Sequence, residues 1–324
     1  MLCPFCLSEV KFKSESVDGK SVYICPNCTQ QVPALYVQEY PSYPPVVANA
    51  IGFRGHGKTV YFAALFYALK KLGLSLHWPN FHTMGIDEES LDTVYENVAM
   101  LEEGKLPAST PKIFPRPTMV RVEGIPMQSN CTLLFYDTGG EAFEKATQLV
   151  MYASFVKQAR TAMFLISPCD INDPTMEMHK LLNTYVVGMA ELGASARHQH
   201  LVVVYTKADE MVELLEKYSD IEAYLRRGTI DELVSPKHYM RGMYSISEQL
   251  REFTKSNLGA NEFLNAADAN FKSVSFCIIS ALGARPQGQQ TSVQITPRRI
   301  LDPMLWLMEK SLPGWKQTLR RWWE

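Results

Sequence analysis

Eight consecutive residues carry the clearest chemistry in the chain: Gly52-Phe53-Arg54-Gly55-His56-Gly57-Lys58-Thr59. They fit the pattern G-x-x-x-x-G-K-[ST]. An apolar, β-branched stretch (46–51) precedes them, and an Ala/Leu-rich stretch of helical character (59–72) follows. That strand–loop–helix setting is the context the pattern requires. Glycines let the backbone curl so that successive N–H groups point inward and hold phosphate oxygens. The helix start adds partial positive charge. The Lys58 ammonium would reach the outer phosphates of a nucleoside triphosphate, and the Thr59 hydroxyl would ligate Mg²⁺. Gly52, Gly55, His56, Gly57 and Val60 complete the expected phosphate-contacting set.

Three later segments bear on the base and the metal. Asp137-Thr138-Gly139-Gly140 follows the apolar run 131–136. A carboxylate there can hold Mg²⁺ through water, and the Gly140 N–H can contact a terminal phosphate. Thr206-Lys207-Ala208-Asp209 follows 201–205. The Asp209 carboxylate can accept from guanine N1–H and N2–H₂, a pairing adenine cannot make. The Lys207 stem can lie along the base face. Ser280-Ala281-Leu282-Gly283 follows 274–279, and a backbone N–H there can donate to guanine O6. Each segment is weak alone. Together they occur in one order, each at the C-terminal end of an expected strand, where open α/β sheets place their ligands.

In these four segments the chain resembles the Ras-like GTPases of the translation-factor-related class, over roughly residues 46–311. The resemblance implies binding of GTP and GDP with Mg²⁺, and hydrolysis of GTP to GDP and phosphate. Thr206 stands where most members have Asn. The family's switch threonine falls between the first helix and the second strand. Here that interval, about 73–116, is long and holds an extra helix. Thr110 is the candidate, with Thr83 and Thr118 as competitors. Glu141 occupies the place of the water-orienting Gln. It could orient water or accept a proton, or simply begin the next helix. Arg54 could act as an internal arginine finger or point to solvent; the second is favoured.

A second cluster lies at the N-terminal end. Cys3-Pro4-Phe5-Cys6 and Cys25-Pro26-Asn27-Cys28 form C-x₂-C-x₁₈-C-x₂-C. That spacing suits a four-thiolate zinc site; redox Cys-x-x-Cys chemistry is the rival. Stretches 11–16 and 20–24 read as strands around Asp18-Gly19, a tight-turn pair. The module looks like a zinc ribbon. Its few residues cannot bury enough surface to fold alone, so metal would supply the stability. Its few basic residues (Lys11, Lys13, Lys20) favour a structural or protein-binding role over nucleic acid. Cys131, Cys169 and Cys277 read as ordinary buried thiols.

The elements that must position these groups follow from periodicity. Short apolar strands are expected at 46–51, 118–122, 132–136, 162–166, 201–205 and 274–279. Helices are expected at 59–72, 87–103, 141–158, 176–192 and 211–225. The pattern predicts an α/β fold: a mostly parallel sheet with helices on both faces, and one antiparallel pair between 118–122 and 132–136. The expected organisation is a zinc ribbon (1–40), a Pro-rich connector (41–45), a nucleotide-binding domain (46–311) with insertions at about 73–116 and 228–272, and a Trp/Arg-rich end (312–324).

The chain has 324 residues, 46% of them hydrophobic, and a formal net charge of −2. That gives no global bias toward nucleic acid or anionic membrane. No apolar run is long enough to cross a bilayer. No secretion signal is read at the start, and the free-thiol pattern fits a cytoplasmic setting. Residues 301–308 read as a last helix; beyond them, the C-terminal Trp and Arg residues either pack back on the domain or touch a membrane surface or partner groove. A zinc ribbon joined to a Ras-like domain with a long first-switch insertion resembles the bacterial double-GTPase family of conflict and defence systems. That resemblance implies a regulatory switch acting on co-encoded partner proteins. The alternatives are a poorly hydrolysing scaffold and a nucleotide-regulated zinc-ribbon protein that binds nucleic acid.

Overall fold

The computed structural model describes residues 1–311 apart from 18–19, 228–232, 234, 289 and 292–293. The Asp18-Gly19 turn and the 312–324 segment lie outside the described residues. The N-terminal module is a three-stranded antiparallel sheet: β1 (Lys13–Val17), β2 (Lys20–Ile24) and β3 (Gln31–Val32). A short helix, α1 (Ala34–Gln38), closes it. Tyr36 of α1 is buried and donates to the Leu2 carbonyl at 2.8 Å, tying the start of the chain to its own module.

The main sheet has the order β5-β6-β7-β4-β8-β9-β10. Its strands are β4 (Pro45–Asn49), β5 (His82–Gly85), β6 (Thr118–Glu123), β7 (Cys131–Tyr136), β8 (Thr161–Ile166), β9 (His200–Tyr205) and β10 (Ser273–Ile278). Only β6 runs against the others. The join between β4 and β8 is narrow. Ile51 N donates to Met163 O (2.8 Å), and Leu165 N to Ile51 O (2.7 Å). The buried Asn49 amide supplies two further bonds, to Thr161 O and from Met163 N. Every residue of β7, β8 and β9 is buried, as a sheet covered on both faces demands.

One face is covered by α2 (Lys58–Lys71), α4 (Glu88–Glu102) and α11 (Asp302–Ser311), with Trp306 fully buried. The other is covered by α5 (Ala146–Tyr152), α6 (Pro174–Glu191), α10 (Asn261–Asn270) and the N-terminal module. The long helix α9 (Pro236–Ser256) wraps the β10 edge. Its Tyr239, Met240 and Met243 join one core, and its Ile246, Leu250 and Phe253 the other. Both α9 and α10 lie in the expected 228–272 insertion.

Several expected elements differ. The 141–158 helix is broken into a 3₁₀ turn (Gly140–Phe143), α5 and a second 3₁₀ turn (Ser154–Gln158). Phe143, Leu149 and Phe155 are all fully buried. At six-residue spacing they would point about 120° apart on one continuous helix, so an amphipathic helix with one apolar face would not bury all three. The 211–225 helix is split into α7 (Val212–Leu215) and α8 (Ser219–Arg226), with the Tyr218 ring at the break packed edge-on to Phe253. The 73–116 insertion holds not only α4 but also α3 (Leu74–His77) and β5. Cys169 is exposed rather than buried, because it sits in the turn where β8 leaves the sheet.

Candidate functional site

Five segments converge at the C-terminal edge of the sheet. The loop between β4 and α2 owes its shape to glycines. Gly55 and Gly57 adopt φ of +87° and +78°. A Cβ on Gly52 would lie 2.4 Å from the Leu165 carbonyl, so no side chain fits where the loop leaves the sheet. The loop is braced from behind. Thr206 Oγ1 donates to His56 O (3.1 Å), and buried His56 places Nδ1 3.2 Å from Leu165 O. Thr206 thus ties the end of β9 to the back of the loop.

Lys58 is buried, and its ammonium donates to Gly52 O (2.9 Å) and Phe53 O (3.0 Å). Burial pulls its pKa from 10.5 down to about 8, against the opposing pull of Asp137 and Glu141. A cation held at that cost, at the mouth of an inward-curled backbone, suits an anion.

Beside it, three oxygen donors form a chain. Thr110 Oγ1 donates to Asp137 Oδ2 (2.7 Å), and Thr59 Oγ1 lies 2.6 Å from Thr110 Oγ1. Burial pushes the Asp137 carboxyl pKa up, and the Thr110 and Thr59 hydroxyls pull it back. Its Oδ1 is buried with no hydrogen-bond partner. Two hydroxyls and a carboxylate with a spare buried oxygen match the hard oxygen donors that Mg²⁺ takes. Of the three threonines weighed, Thr110 is the one at this cluster. Thr83 lies in β5, its carbonyl accepting from Lys70, and Thr118 pairs with Phe135 in the β6–β7 ladder.

The segment after β7 presses on the loop. A Cβ on Gly140 would lie 2.2 Å from Arg54 N, and one on Gly139 2.9 Å from Thr110 O. Arg54 and Glu141 meet across the mouth of the cavity at 3.7 Å, with the arginine side chain 78% exposed. These segments enclose about 830 Å³, lined also by Ser109, Pro111 and Lys112. Sequence reasoning missed those three; they flank Thr110 and follow once it is placed.

A second cavity of about 190 Å³ adjoins the first, sharing Gly55, Gly57, Val60 and Leu106. Asp209, Lys207, Ala281, Leu282 and Tyr61 line it. Ser280 Oγ donates to Asp209 Oδ1 and accepts from Gly283 N (2.9 Å), fixing the carboxylate. Lys207 takes a left-handed backbone, φ +56°, and its ammonium donates to Asp170 Oδ2 at 2.7 Å. Asp170 was missed, though an acidic residue just past β8 was a legible signal. Next to Leu106 in the chain, Thr291 N donates to Gly104 O (2.7 Å), and Lys105 pairs with Gln290.

The four module cysteines form a separate centre. Their sulfurs all lie within 4.8 Å of one another, and the thiols are free. The two Cys-x-x-Cys turns are alike. Leu7 N and Thr29 N donate to Cys3 O and Cys25 O, both at 2.9 Å. Leu7 and Thr29 share positive φ, 61° and 59°. Two matched turns presenting four sulfurs to one point fit a tetrahedral thiolate metal.

No family model matches the sequence, and no curated protein matches it. Among solved structures, two of the S. cerevisiae Ski7 GTPase-like domain are similar. The one bound to GDP and inorganic phosphate shares 17% identity (TM-score 0.35), and the one bound to GTP shares 15% (TM-score 0.37). Each alignment covers 84% of this chain and 51% of the other, so the chain matches about half the length of those structures.

Proposed function

We propose that this chain binds GTP with Mg²⁺ and acts as a hydrolysing regulatory switch of the Ras-like type, with a zinc ribbon at residues 1–40. The observation that carries the reading is the Thr59–Thr110–Asp137 chain beside buried Lys58. It joins the loop, the first insertion and the end of β7 at one point, which is what sensing a terminal phosphate requires. The Asp209–Ser280 pair in the adjoining cavity supports guanine over adenine.

In this reading Lys58 and the loop N–H groups hold the phosphates, while Thr59, Thr110 and Asp137 hold the cation. Bound Mg²⁺ would neutralise charge on the phosphate oxygens. The Gly140 N–H would face the terminal phosphate, and Glu141 would orient or deprotonate water once released from Arg54. A switch needs something to act on; a co-encoded protein, as in the double-GTPase family the organisation resembles, is the proposed partner.

The Arg54–Glu141 ion pair favours one second reading, a nucleotide-binding scaffold that hydrolyses poorly. Identifying the nucleotide and metals that copurify, then competing GTP against ATP, tests binding; equal competition would sink the guanine assignment. Single-turnover hydrolysis separates the two readings, since a rate no faster than free GTP would leave only the scaffold.

A further inference from the structure

The metal module does not hang free of the nucleotide cavity. Its first Cys-x-x-Cys turn rests on residues that flank both proposed switch segments. Tyr136 is fully buried, ends β7 and immediately precedes Asp137. Its hydroxyl donates to the carbonyl of Pro4, inside the Cys3–Cys6 turn, at 2.6 Å. The Tyr136 ring stacks on Phe155 at 4.8 Å, and Phe114, four residues beyond Thr110, packs edge-on against both. Gln158, at the end of the turn carrying Phe155, donates to Leu7 O at 3.0 Å, directly after Cys6. Arg116, which ends the first insertion, sits 4.9 Å over the ring of Phe5, between Cys3 and Cys6. Three contacts, one from each of three separate segments, therefore meet one metal-binding turn.

We infer that Tyr136 is a positioning residue that couples the four-cysteine metal site to the Thr59–Thr110–Asp137 cation site. The inference rests on the nucleotide reading above and goes beyond it by giving the module a task. A turn pinned through two of a metal's four sulfur bonds is rigid, whereas the same turn without metal loses that restraint. Pro4 O is the fixed point against which Tyr136, and hence the backbone entering Asp137, is set. Phe114 carries the same restraint to the segment entering from Thr110. A buried, close-packed contact has few intermediate arrangements, so a shift at one end is felt at the other. Coupling of this kind is reciprocal: if metal tightens nucleotide, nucleotide tightens metal by the same factor.

The test uses the full-length zinc-loaded chain. Zinc transfer to a colorimetric chelator is timed alone, with GTP·Mg²⁺ and with GDP·Mg²⁺, while nucleotide binding is measured in the same samples by fluorescence. Metal release is expected to slow about fivefold or more with GTP·Mg²⁺ bound, and metal-stripped protein is expected to bind GTP more weakly. Tyr136→Phe keeps the ring but removes the bond to Pro4. In that variant the two sites should still fill, while the factor linking them falls toward one. Equal release with and without bound GTP overturns the coupling and leaves the nucleotide reading intact. No nucleotide binding in metal-loaded protein overturns both. A Tyr136→Phe variant with undiminished coupling removes Tyr136 from the role.

Discussion

Asp209 is held with one oxygen already accepting from Ser280, so its orientation is set before any base arrives. In the proposed reading, Asp209→Asn puts an amide where two guanine N–H groups need a carboxylate. GTP affinity is expected to fall by a factor of roughly 10² to 10⁴, with xanthosine triphosphate now preferred. Competition titration against labelled GDP checks this, and unchanged GTP affinity would remove Asp209 from the base site. Lys58 makes a complementary case. Its ammonium has only two carbonyl acceptors in the loop and is costly to keep charged there. Lys58→Met should therefore leave the fold as stable as before, or more so, by thermal melting. Nucleotide affinity should drop about a hundredfold, the scale of losing charge-assisted bonds to phosphate.

At the scale of elements, the N-terminal module has little apolar core of its own. Its core is a few residues, chiefly Phe12, Val32 and Tyr36 around the buried Cys3 and Cys25. Chelation of zinc should open residues 1–40 to limited proteolysis while the main sheet stays protected, read by mass spectrometry of the fragments. Protection of both regions after chelation would mean that apolar packing suffices. The elements also show where sequence was and was not readable. The strands around the phosphate loop were legible because β7, β8 and β9 are unbroken apolar runs between polar ends. Strand β5 was not, since His82-Thr83-Met84-Gly85 carries little apolar signal and exists by pairing with β6. The broken helix after Gly140 was equally hidden. Its composition is helical, while Phe143, Leu149 and Phe155, set about 120° apart on an ideal helix, are all buried.

Across the whole molecule, the insertion and the last helix are knotted together by polar groups that no periodicity reveals. Asp302 of α11 is fully buried and accepts from Tyr224 of α8 and Tyr239 of α9. Arg299, also fully buried, lies 3.5 Å over the Tyr224 ring and donates to the Tyr224 carbonyl at 2.9 Å. Asp302→Ala would take an acceptor from two buried phenols and leave Arg299 short of a nearby charge. A loss of about 3–5 kcal/mol in denaturant unfolding is expected, the scale of breaking a buried charged network. A change below about 1 kcal/mol would show that the knot contributes little. The candidate site was more legible than this knot, because its motifs are local: the loop, Asp137, Asp209 and the cysteine turns are each read within a few residues. Thr110 is the exception. Its place opposite Thr59 depends on how a forty-residue excursion folds back, which spacing alone does not encode.

The stitch between Thr291 and Gly104 has a kinetic meaning. It joins the chain beyond Gly283 to the chain leading into Leu106, which lines the smaller cavity. In the proposed reading that fastener tethers one wall of the base site, and GDP would leave more slowly while it holds. Thr291→Pro removes the donor N–H. Labelled GDP should then leave about ten times faster in stopped-flow, with little change in how fast it enters.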